Sequence, residues 1–129
     1  MADDNPHTIE KLGALLNIPD LGGEDWDLMY ADSQRVEEFC DVYEHSSFSE
    51  SEKFALMELI VASYDRYLWD VQHAAPRLES RIEGLLDQDF RLHLHTIEYW
   101  SALKSPYPDS LRAVSLLMRR LITKHETDA

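Results

Sequence analysis

Asp89, His93, His95 and Glu98 fall within ten residues, a grouping of two imidazoles and two carboxylates able to do acid–base or metal chemistry. Carboxylates and imidazoles are common ligands of zinc, manganese and iron, and they are also the commonest general acids and bases. On a helix, Asp89 and His93 stand at i, i+4 and His95 and Glu98 at i, i+3, so each pair shares a face, whereas His93 and His95 do not. A zinc site needs three or four ligands converging within about 2 Å of one ion. Two divergent pairs do not supply that, and a metal-dependent helical enzyme would have to recruit further ligands such as Asp65 or His73. The competing expectation is that these are polar residues at the edges of a core helix.

Cys40 is the only cysteine, so it forms no intrachain disulfide. It shares an apolar stripe with Phe39 and Tyr43 and has Glu37, Glu38, Asp41 and Glu44 around it, surroundings that disfavour a reactive thiolate. The expectation is a core residue. No Gly-rich phosphate loop, Gly-x-Ser-x-Gly elbow or Cys-x-x-Cys occurs, and Gly22-Gly23 does not lead from a strand into a helix. These observations predict no cofactor and no catalysis.

The elements that would position such residues are helical. Asn5-Pro6 reads as a helix start, and Ile9, Leu12, Leu15 and Leu16 carry the apolar side of a first helix over about Pro6 to Asn17. Pro19, Gly22 and Gly23 make the following stretch a loop. Asp32 is expected to cap a second helix whose buried stripe is Val36, Phe39, Cys40 and Tyr43. Ser49 and Glu52 form a capping box ahead of an apolar run from Phe54 to Trp69, which predicts a central helix contacted on several sides. From Pro76 an inward stripe of Leu78, Ile82, Leu85, Leu86, Phe90, Leu94 and Ile97 continues to Leu103. One helix of that span would be about 40 Å long, so a break is expected at Asp87 to Asp89. Ser105-Pro-Tyr-Pro-Asp is a turn, and the last helix, capped by Asp109 or Ser110, buries Leu111, Val114, Leu117, Met118, Leu121 and Ile122. The fold class expected is all-α, a single-domain bundle of five or six helices over residues 1–129 around a central apolar helix at about 50–70.

Composition narrows the function. With 44% hydrophobic and 29% charged residues the chain is globular. The longest uncharged run of the strongest helix, Leu59 to Tyr64, is far short of the roughly 20 apolar residues that cross a bilayer. The start, Met-Ala-Asp-Asp-Asn-Pro, lacks the basic and apolar regions of a signal peptide, and a cytoplasmic protein is expected. A net charge of −13 disfavours direct nucleic-acid binding, which depends on Lys and Arg. Residues 1–52 carry −12 of that charge and residues 53–129 only −1. On the second helix Glu37, Asp41 and Glu44 stack at i, i+4, i+7 with Glu38 beside them, and each like-charged pair costs a few tenths of a kcal/mol with no local offset in the sequence. Trp26 and Tyr30 lie in an acidic segment with Asp25 and Asp27. Aromatic surface flanked by charge suits a binding hot spot, although lid-like packing over the core would also explain it. The other aromatics, Tyr64, Tyr67, Trp69, Tyr99 and Trp100, are expected in the core.

A small acidic all-helical chain with an acid-and-aromatic surface resembles the immunity proteins of bacterial toxin systems, among them the colicin-nuclease immunity proteins and the contact-dependent and polymorphic-toxin sets. Asp32-Ser-Gln-Arg-Val-Glu-Glu-Phe, Glu52-Lys-Phe-Ala-Leu-Met-Glu-Leu-Ile and Thr96-Ile-Glu-Tyr-Trp also look like segments of a family of small bacterial proteins. The resemblance implies a tight complex with a basic toxin domain and no catalysis. Only Tyr107-Pro108 is similar to the tyrosine-bearing loop of the colicin group, so no binding residue is carried over from it. The partner-binding residues expected are therefore those of the acidic region: Asp25, Trp26, Asp27, Tyr30, Glu37, Glu38, Asp41 and Glu44. A metal-dependent enzyme using Asp89, His93, His95 and Glu98, or a self-associating structural protein, are the alternatives.

Overall fold

The computed structural model describes residues 6–18, 31–45, 47–101 and 114–128, and all its regular structure is helical: α1 (Pro6–Leu16), α2 (Val36–His45), α3 (Glu50–Val71), α4 (Pro76–Gln88), α5 (Leu94–Ser101) and α6 (Ser115–Asp128). The loop expected around Pro19, Gly22 and Gly23, the segment with Trp26 and Tyr30, and the turn at 105–109 lie outside the described residues, as does the expected start of the last helix.

Local sequence accounts for most helix ends. Asn17, just past α1, takes the left-handed conformation that asparagine tolerates, and the Ile18 N–H returns to the Gly13 carbonyl at 2.9 Å. This is the Schellman arrangement, and it folds the buried Ile18 back onto the core. The α3 capping box is complete: Ser49 Oγ accepts from the Glu52 N–H at 3.3 Å, and Glu52 Oε1 accepts from the Ser49 N–H at 2.8 Å. Asp32 departs from its expected role. Its carboxylate accepts from the Gln34 N–H and its carbonyl from the Arg35 N–H, closing a turn, and α2 begins only at Val36. An aspartate bonded two residues ahead forms an Asx turn instead of a helix cap.

α3 is the axis of the fold. Every residue from Ala55 to Tyr64 except Glu58 is buried, and α1 and α2 pack along it. Its reach to the other helices is by side chain: Tyr64 bonds Glu79 of α4, Phe54 stacks on His95 of α5, and Asp65 accepts from the Val114 N–H at the start of α6. Beyond Tyr64 the burial ends, and Trp69 is 58% exposed. The core placement expected of Trp69 is thus corrected, and likewise that of Tyr99 at 48% exposure, whereas Tyr64 and Trp100 are buried. Trp69 stands about 200° around the helix from Tyr67 and from Val71, so it faces away from the side on which α2 packs near them.

The expected break after α4 is present. Residues 89–93 form a turn, and the His93 carbonyl accepts the first bond of α5 from the Ile97 N–H at 2.9 Å. α4 and α6 are tied by ion pairs: Arg120 to Glu79 and Glu83, and Lys124 and His125 to Asp87. Gly84, in the exposed middle of α4, has nothing within 4 Å of where a Cβ would lie. Gly84→Ala should raise stability by about 0.5–1 kcal/mol, read as a higher urea midpoint at unchanged slope.

Candidate functional site

The acidic helix α2 has its apolar side down and its acids out. Val36, Phe39, Cys40 and Tyr43 are all buried, as their spacing requires, and Glu37, Glu38, Asp41 and Glu44 are exposed. Two arginines offset part of this charge, one from α4 and one just ahead of α2. Arg81 of α4 donates to Asp41 Oδ1 at 2.6 Å and to both carboxylate oxygens of Glu44 at 2.6 and 3.1 Å. That hydrogen bonding holds the Glu44 carboxyl below the usual carboxylate range and the Arg81 guanidinium above its ordinary value. Arg35 clasps Glu38 through two bonds, which likewise lowers the Glu38 carboxyl, and also donates to the Leu16 carbonyl at the end of α1. The expectation that nothing local offsets the α2 repulsion is corrected for Glu38, which the neighbouring Arg35 holds; for Asp41 and Glu44 the offset comes from the distant Arg81. Glu37 has no ion pair among the described residues, although the α2 N-terminus, whose dipole favours an acid in the first turn, acts on it.

Arg81→Ala would return two carboxylates to mutual repulsion. We expect a loss of about 1 kcal/mol, as is usual for a multidentate pair near the surface, and a rise of the Glu44 titration midpoint in a carboxyl-detected NMR titration.

Cys40 is buried, and its thiol is pushed up to about 12, chiefly by burial, with Glu44, Asp41 and Glu37 adding to the shift and Arg81 opposing it. The core reading stands. The acids named from sequence as its cause are secondary to desolvation.

Asp89 and His93 lie together in the turn between α4 and α5, where the His93 N–H donates to the Asp89 carbonyl at 3.1 Å, the i, i+4 bond of a helical turn. Tyr43 of α2 stands between them, its hydroxyl 2.9 Å from Asp89 Oδ2 and 2.8 Å from His93 Nε2. A carboxylate can only accept, so the single tyrosine proton goes to Asp89, and His93 must donate its Nε2–H to the tyrosine oxygen. Nδ1 is then the bare nitrogen, and it has no partner among the described residues. His93 is 0% exposed, and burial holds it neutral, lowering its pKa to about 4; Asp89 opposes that shift, and Lys53, 3.8 Å from Asp89, adds to it. Burial, with the Asp89 bond, also raises the Tyr43 phenol above its usual value.

His95 and Glu98 do not join this network. Both are exposed, and the His95 ring stacks on Phe54, 6.5 Å between centroids. The four residues proposed as a metal set do not converge. Among the described residues the trio with mutually close ligand atoms is Asp41, Glu44 and His45, which is exposed and has two of its carboxylates already bonded to Arg81. A depression of ≈ 730 Å³ beside Asp89 holds an Asp87–His125 pair at 2.6 Å, with His125 stacked on Phe90. The residues lining it carry no hydroxyl or thiol for that pair to activate.

The larger opening, ≈ 920 Å³, lies where the starts of α2 and α4 and the end of α3 come together. Sequence reasoning marked one of its residues, Glu37. Its other acid, Asp70, is separated from Glu37 by 33 positions and carries no local signal. Asp25, Trp26, Asp27 and Tyr30, the remaining residues expected at an interface, lie outside the described residues. Among the described residues no helix is long and apolar enough to cross a membrane. No protein-family model, curated protein or solved structure matches the chain.

Proposed function

We propose that this chain is a non-catalytic binding protein that neutralises a basic protein partner, in the manner of the immunity proteins of bacterial toxin systems. The observation supporting it is the separation of charge sign through the fold. Where α4 meets α6, the acids Glu79, Glu83 and Asp87 are matched by Arg120, Lys124 and His125. The described acids before residue 53 have only Lys11, Arg35 and Arg81 as cationic partners. Glu10, Glu37 and Glu50 are exposed with no cation among the described residues, and Asp3, Asp4, Asp20, Glu24, Asp25 and Asp27 add to the same end of the chain. A surplus of one sign gathered in one region does little for folding, but it raises the encounter rate with an oppositely charged protein by orders of magnitude at low salt.

The test begins with the product of the adjacent gene, co-expressed with this chain. The reading expects a stable complex with a protein whose C-terminal domain is basic and toxic when expressed alone. Products that bind without a basic domain, or a basic domain whose toxicity is undiminished by this chain, would contradict it. Glu10→Lys, Glu37→Lys and Glu50→Lys together are the informative reversal, since reversing Asp41 or Glu44 would set a cation against Arg81 and confuse folding with binding. The triple variant should associate at least about tenfold more slowly at low salt while remaining folded, its melting temperature lowered by a few degrees because Glu37 and Glu50 stand in the first turns of α2 and α3.

A further inference from the structure

We infer that the cleft between the starts of α2 and α4 and the end of α3 is where the basic partner seats an apolar side chain flanked by an arginine or lysine; this rests on the reading just given and adds its place and chemistry. α2 and α4 run in the same direction here. Arg81 joins them at Asp41 and Glu44, and one turn nearer the two N-termini Glu37 and Arg77 both line the cleft without pairing. The opening lies between these two starts. The face of α3 presented by Tyr67, Asp70 and Val71, at i, i+3, i+4, forms the third side.

The floor and the rim ask for different things. Val36 and Leu78 are buried at the base, and Tyr67 is half-buried beside them. An apolar floor gains only from an apolar anchor. Glu37 and Asp70 come from two different helices, are exposed, and have no cationic partner among the described residues, although Arg77 lines the same cleft. The other acids of α2 are already bonded to Arg35 or Arg81. Two unmatched carboxylates bordering apolar surface suit a cation arriving on a long aliphatic stem, which packs on the floor while its head reaches the acids. An arginine would also stack on the Tyr67 ring. The charge balance opposes the other occupants: a second copy of the chain brings −13 to the encounter, and nucleic acid would meet two carboxylates with Arg77 alone to attract it.

Two measurements on the full chain test this. In the first, ¹H–¹⁵N NMR follows titration with leucyl-arginine amide, with leucyl-glutamate as control. Saturable shifts at Ser33, Gln34, Tyr67, Val71 and Leu78 with the arginine probe alone are expected. Shifts spread over Glu10, Glu50 and Glu98, or equal responses to the two probes, would overturn the inference. In the second, Glu37→Gln with Asp70→Asn, changes that keep shape and leave the core untouched, should weaken binding of the co-expressed basic protein about tenfold at an unchanged melting temperature. If that protein binds the double variant as tightly as wild type, the cleft is not its seat, though the binding function stands. If the probe fills the cleft and no basic protein is bound, the inhibitor reading falls and the site survives.

Discussion

Lowering the pH from 7 to 4 should remove on the order of 3 kcal/mol of stability through His93 alone, because its pKa falls from the ordinary 6.5 to about 4 on folding. The sign follows from which state takes the proton. Below pH 6.5 the unfolded chain binds a proton at this imidazole while the folded chain refuses it, so stability declines as pH drops and levels off near pH 4. The refusal has a geometric cause. Nε2 already carries the hydrogen given to Tyr43, so a second proton must sit on Nδ1, which is buried and faces no acceptor among the described residues. Carboxyls held low by cations, such as Glu38, Glu44 and Asp87, lose their contribution only at lower pH, through and below the ordinary carboxylate range, which separates the two effects. Urea midpoints at a series of pH values for wild type and His93→Gln would check this. The variant should be less stable at pH 7 but flat between pH 6.5 and 4.5, whereas an equally steep decline in both proteins would assign the acid sensitivity elsewhere.

Tyr43→Phe should cost about 2 kcal/mol at neutral pH while leaving the ring's packing intact. The hydroxyl hydrogen-bonds α2 to the turn at 89–93, and its loss strands a buried imidazole N–H and removes a donor from a carboxylate. Bonds to charged groups are worth more than neutral ones, and the group left behind costs more than the bond itself. Tyr64→Phe is the fitting comparison. That hydroxyl reaches the half-buried Glu79 at 3.2 Å, and its removal should cost about 1 kcal/mol or less. Combining Tyr43→Phe with His93→Leu should cost less than the two changes summed, because the orphaned partner is then absent.

The features legible in the sequence were those decided within one or two helical turns. The capping box at Ser49, the stripe of α2 and the break after α4 depend on neighbouring residues and on helix length. The links that matter most for stability were not legible, because they join distant positions: Tyr43 meets Asp89 and His93 across 46 and 50 residues, and Arg81 meets Asp41 across 40. Asp89 and His93 do meet through their i, i+4 spacing, joined by a backbone bond across the turn, but the tyrosine from another helix that binds both side chains left no local signal. One tertiary feature did leave a signal: Glu79, Glu83 and Asp87 repeat every four residues on α4, as Arg120 and Lys124 do on α6, and opposite signs at one spacing mark two faces that meet. Residue type alone misplaced Trp69 and Tyr99, since aromatic side chains serve cores and surfaces alike.

For α2 this redistributes the meaning of its charge. The stripe Glu37, Asp41, Glu44 is not one docking surface: two of its members are committed to Arg81, and Glu37 stands at the edge of a cleft with Asp70 across from it. The most direct measurement is the association rate of the full chain with whatever basic protein the co-expression recovers, taken by stopped flow from about 20 to 500 mM salt for wild type and for Glu37→Gln with Asp70→Asn. The account predicts a wild-type rate that falls about tenfold or more across that range and a double variant that is slower at low salt and less salt-dependent. A rate indifferent to salt, or a partner without a basic domain, would contradict it.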